Sequence, residues 1–70
     1  MRVPFSRLFS QISPRRVRTR VRVSIGGEVL SRATELDRSS AAGGTPLAVL
    51  WGRDLEVVRA NGSYRVVGAY

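Results

Sequence analysis

Between Val17 and Ile25 the chain alternates strictly: Val17, Thr19, Val21, Val23 and Ile25 occupy the odd positions, and Arg18, Arg20, Arg22 and Ser24 the even ones. A period of two with β-branched residues along one face is the pattern of a strand half-buried in a sheet. It commits the fold to β structure. One face goes to a core, while the other presents three arginines spaced about 6.5–7 Å apart. Like charges crowded on one face repel each other, so a counter-charge is expected nearby.

That strand belongs to a larger asymmetry. Seven arginines and no acid precede Glu28, whereas residues 28–70 hold five arginines against five acids, so the net charge of +7 lies in the first 27 residues. All twelve cations are arginine. Either codon composition or a preference for forked contacts to phosphate and carboxylate accounts for that. Arg15, Arg16, Arg18, Arg20 and Arg22 are the candidate residues for contact with nucleic acid or an acidic partner.

Seventy residues allow one small domain, which buries only about 60% of its unfolded surface. With no cysteine and no histidine, disulfides and the usual structural zinc sites are excluded. Stability is therefore expected from a compact β core, from docking into a larger assembly, or from both. The longest apolar run, Leu47 to Trp51, is far below the roughly 20 residues that span a bilayer, so no transmembrane segment is expected. A reducing compartment, cytoplasmic or organellar with mitochondria included, fits the absence of cysteine.

Phe5, Leu8, Phe9 and Ile12 follow the i, i+3, i+4, i+7 spacing of one helical stripe. Pro4 suits a first turn and Pro14 a stop. Residues 1–14 are thus expected to form a basic arm or short amphipathic helix. Three turns are too few to be helical alone, so this stripe is expected to dock on a partner or on the chain's own barrel, and together with Trp51 it is a candidate docking surface. A targeting segment, an extended tail and a membrane-surface helix are the other readings of the arm.

Residues 15–70 read as a β domain. Gly26-Gly27 forms a tight turn and Glu28 to Thr34 returns as a strand, although Val29, Leu30, Ala33 and Leu36 also fit a helical stripe. Glu35 to Thr45 is expected to be a polar loop. Leu47 to Trp51 is expected to be a core strand, and Leu55 to Ala60 and Tyr64 to Val67 form a hairpin about Asn61-Gly62. The whole is an all-β fold, a small five-stranded OB-like or SH3-like barrel. Trp51 fits either a core position near the rim or a surface anchor. Clustered with Tyr64 and Tyr70, it would make a stacking platform beside the arginines.

Val21-Arg22-Val23, Gly27-Glu28, Ala33, Gly44-Thr45, Val49, Gly52 and Leu55-Glu56-Val57-Val58 follow a recognisable order. Over about residues 22–59 this resembles the soluble C-terminal domain of the NfeD family. The resemblance implies an OB-like barrel and a protein-interaction role linked to membrane-protein partners, and it implies no catalytic residues.

No catalytic constellation is expected. Asp54 and Glu56 share a strand face but read as surface acids, Glu35 and Asp37 read as loop acids and not metal ligands, and Gly43-Gly44-Thr45 lacks the lysine of a phosphate loop. No cofactor and no metal are expected. The sequence is read as a non-catalytic structural subunit of a large multi-subunit ribonucleoprotein, with its basic arm and strand on RNA backbone. The alternative is a protein–protein interaction module on an acidic protein or membrane-protein partner.

Overall fold

The computed structural model describes residues 1–70 as ten short strands and two single helical turns. In chain order the strands begin with β1 (Arg2–Pro4), followed by the turn α1 (Phe5–Leu8), β2 (Phe9–Ser13), β3 (Arg16–Thr19), β4 (Arg22–Ile25) and β5 (Glu28–Leu30). Then come β6 (Glu35–Asp37), β7 (Ala41–Ala42), β8 (Thr45–Pro46), a 3-10 turn over Leu47–Val49, β9 (Asp54–Ala60) and β10 (Ser63–Ala69). Five strands make one sheet in the order β1-β9-β10-β4-β5, with β4 parallel to β10 and every other pair antiparallel. β2-β3-β6 form a second sheet, and β7-β8 a lone hairpin.

All three sheets are open, which corrects the expected five-stranded OB-like or SH3-like barrel. The reason lies in the alternating segment. It is not one strand of nine residues but two of four, interrupted at Arg20 and Val21, where the Arg20 N–H donates to the Leu8 carbonyl at 2.8 Å. β3 goes to one sheet and β4 to the other, so this run does not carry the hydrogen-bonded ladder of one sheet into the next, and the sheets stay open. The alternation survives because the interruption is two residues long: Val17, Thr19, Val23 and Ile25 are all buried while Arg18, Arg20 and Arg22 are exposed.

The amphipathic start is a helix for one turn only. Phe5 and Leu8 face inward from α1, after which Phe9 continues as strand and Ile12 is left exposed. Backbone partners decide this: β1 pairs with β9, matching Val3 with Leu55, and β2 pairs with β3 around a Pro14-Arg15 turn. Proline presets the φ such a turn needs. The first 14 residues supply Val3, Phe5, Leu8 and Phe9 to the same core as the rest of the chain.

That core is a single cluster of thirteen apolar residues drawing on all three sheets. Val3, Val23, Ile25, Leu30, Leu55 and Val57 come from the five-stranded sheet, Phe9 and Val17 from the second, and Ala42 from the hairpin; the turns add Phe5, Leu8, Leu47 and Leu50. The expected strand over Leu47 to Trp51 is instead the 3-10 turn. Its i, i+3 spacing buries Leu47 and Leu50 together and leaves Val49 outside. Residues 35–45, expected as loop, contain β6, β7 and the first residue of β8. The segment after Gly26-Gly27 is a strand, but it ends at Leu30. No helix is long and apolar enough to cross a membrane.

Candidate functional site

Four arginines meet carboxylates: Arg2 with Asp54 (3.0 Å), Arg15 with Asp37 (3.7 Å), and Arg16 and Arg18 with the two oxygens of Glu35 (3.5 and 3.0 Å). Glu56 takes the Met1 amino group and the Tyr70 hydroxyl, and Glu28 accepts the Gly43 N–H at 2.8 Å. Every acid is thereby engaged, leaving eight guanidinium groups with no carboxylate partner. Much of the compensation reaches the leader from β6, whose Glu35 and Asp37 stand opposite Arg18 and Arg16 across the β3–β6 pair. The hydrogen bond from Arg18, followed by its charge, holds the Glu35 carboxyl below its ordinary range. For Asp37 the main cause is the hydroxyl and N–H of Ser39, with Arg15 adding to it.

The five arginines singled out from sequence therefore separate. Arg15 and Arg16 lie at the β2–β3 turn beside β6, Arg22 lies next to Ser63 in the other sheet, and Arg18 and Arg20 share a polar hollow. This hollow, about 370 Å³, is lined by Ser10, Arg18, Thr19, Arg20, Arg32 and Ala33. Arg32 was not among the residues expected from sequence.

Thr19 builds the hollow. Only 2% exposed, it is the one buried polar residue of the chain. Its hydroxyl donates to the Ser31 carbonyl at 2.6 Å and accepts the Thr34 N–H at 2.8 Å. Its backbone N–H donates to the Thr34 carbonyl and its carbonyl accepts the Ala33 N–H, both at 2.9 Å. These bonds pin residues 31–34 against the end of β3 and hold Ala33 at φ 66°, a left-handed conformation that costs a residue with a Cβ about 1–2 kcal/mol. The Arg32 backbone is thereby held between two tied residues, and its side chain lines the same hollow as Arg20. Neither has a carboxylate partner, and Arg18 shares Glu35 with Arg16. Three guanidiniums around one hollow, with the Ser10 hydroxyl at its edge, suit a multidentate oxyanion.

The docking candidates also divide. Phe5, Leu8 and Phe9 lie inside the core, with the Phe5 and Phe9 rings stacked at 4.5 Å. Ile12 is exposed on β2. Trp51 is half-buried, tilted on Phe5 at 5.4 Å, and the Arg38 guanidinium lies over its ring at 5.6 Å. Tyr64 and Tyr70 lie under Arg59 and Arg2, respectively, and no ring contact joins either to Trp51. There is no common stacking platform. Asp54 and Glu56 are each committed to an ion pair, and no three His, Cys, Asp or Glu side chains come together.

Compared with protein-family models, curated proteins and solved structures, the chain matches none of them. The OB-like barrel implied by the NfeD resemblance is not the fold observed. The RNA-binding, ribonucleoprotein reading is corrected with it. It relied on an uncompensated cationic arm and strand feeding a small barrel, and the open sheets, the break at Arg20 and the ion pairs to β6 remove that support.

Proposed function

We propose that the protein is a non-catalytic interaction module that holds an acidic segment of a partner protein in the Arg18–Arg20–Arg32 hollow. The observation that carries this reading is the convergence of Arg20 and Arg32, both free of carboxylates, on one hollow, with the Arg32 loop tied to the end of β3 by Thr19. Tracking a phosphate backbone calls for a row of cations, and here the row is broken between two sheets. A compact hollow instead favours one or two carboxylates held by forked contacts.

The test is fluorescence anisotropy with a labelled glutamate-rich peptide and an RNA oligomer of equal charge. The peptide is expected to bind more tightly. Arg20→Glu combined with Arg32→Glu should weaken it by about tenfold or more, with Arg59→Glu combined with Arg65→Glu as the control of equal charge change and little effect. Tighter RNA binding, or equal losses from all the reversals, would replace this reading with diffuse attraction to polyanions.

A further inference from the structure

The alignment of β4 and β10 leaves a gap in the five-stranded sheet. β10 pairs with β4 only from Ser63 to Val66, whereas on its other side it continues against β9 as far as Ala69. β4 stops at Ile25 because the chain turns away at Gly26-Gly27. No strand therefore flanks Val67 to Ala69 on the β4 side, and an open groove of about 390 Å³ lies there.

The groove is apolar. Ile25, Val49, Leu50, Val66 and Val67 line it, and Val49 and Val67, 49% and 54% exposed, form part of its lips. Val66 and Val67 both reach it because the β9–β10 register shifts between Val66 and Gly68. One charged residue lines the groove. This is Arg53, which is exposed and has no carboxylate partner; its backbone is fixed by bonds to Leu50 and Phe5. No acid lines the groove to repel an anion.

We infer that this groove binds the C-terminal end of a partner polypeptide as a short added strand. The peptide backbone pairs with the free edge at Val67 to Ala69, an apolar side chain enters between Val49, Leu50 and Val66, and the terminal carboxylate meets Arg53. Strand addition to an exposed edge is an established mode of peptide recognition, in which main-chain bonds give affinity and pockets give specificity. The volume lies within the roughly 300–1,000 Å³ of ligand pockets. A fatty acid would supply the carboxylate and the apolar chain but could not use the strand edge. The inference stands apart from the arginine hollow.

The experiment is a two-dimensional amide NMR titration of the full chain with N-acetyl-valyl-alanyl-leucine as the free acid, the same peptide as its C-terminal amide, and dodecanoate. The free acid is expected to shift the amides of Val67, Gly68 and Ala69, with the amidated peptide about tenfold weaker. Arg53→Gln should lower the affinity for the acid to that for the amide and leave the amide unchanged. Val49→Asp, an exposed change that leaves the core intact, should repel the acid. Arg20→Glu with Arg32→Glu should change none of these, so the two sites fail or succeed separately. Equal affinity for acid and amide, tighter binding of dodecanoate, or no shift at Val67 to Ala69 at millimolar peptide would overturn the proposal.

Discussion

At Gly43 the backbone of one hairpin turn rests against another. A Cβ built on Gly43 would lie 2.0 Å from the Ile25 carbonyl oxygen, and one built on Gly26 would lie 2.2 Å from the Gly43 oxygen. Both atoms met are backbone, so neither can swing aside. At Gly44, next in the chain, a Cβ meets nothing within 4 Å, and only its φ of 81° resists a side chain. Gly43→Ala should therefore lower stability by about 3 kcal/mol or more, against about 1 kcal/mol for Gly44→Ala. Urea midpoints of the two variants check this; equal losses would mean that the turns are not in contact. The glycine pairs announce turns in the sequence, but nothing local says that one turn packs on the other.

The strand ending at Thr19 shows how an element positions a site. Inside an alternating run, Thr19 reads as one more β-branched core residue, and it is buried as that pattern requires. Its hydroxyl, however, organises a loop more than ten residues further on. Thr19→Val keeps the shape and strands the Thr34 N–H, while the Ser31 carbonyl retains the Thr34 hydroxyl; this should cost about 1–2 kcal/mol. It should also weaken acidic-peptide binding by releasing Arg32, whereas Thr19→Ser should preserve binding. Thermal melts read beside peptide affinity separate the two effects. A Thr19→Val protein that binds normally would show that the loop does not depend on this hydroxyl. A threonine in a valine stripe was the one signal in the sequence that could have led to Arg32. The misread elements share a different cause. Leu47–Leu50 and Phe5–Leu8 use i, i+3 spacing for a single turn, and apolar runs this short do not distinguish strand, helix and 3-10 turn without knowledge of what they pack against.

Over the whole molecule, charge and pH are linked through the engaged acids. The Glu35 and Glu56 carboxyls lie below their ordinary 4.5 and Asp37 lies below its ordinary 3.8. Arg18 is the main cause at Glu35, Ser39 at Asp37, and the Met1 amino group followed by Tyr70 at Glu56. Carboxyls that ionise more readily when folded stabilise the fold above their unfolded values, and that contribution disappears as pH falls through the lower folded ones. Melting temperature should be level near neutrality and decline below about pH 4.5, as protonation also frees Arg15, Arg16 and Arg18 to repel one another. Unchanged melting between pH 5 and pH 3 would show that these ion pairs add nothing, as many exposed pairs do.

What the amino-acid order determined by itself was local: the alternating β pattern, the turns at Gly26-Gly27 and Asn61-Gly62, the two hairpins they close, and the cationic leader. Each depends on steric and hydrophobic rules that act within a few residues. Tertiary structure alone decided that the alternating run would divide between two sheets, that the two carboxylates of β6 would pair with three neighbouring arginines, and that Arg32 would join Arg18 and Arg20. Those outcomes depend on segments far apart in the chain meeting across one shared core, where burial and backbone pairing outweigh the preference of any single stretch.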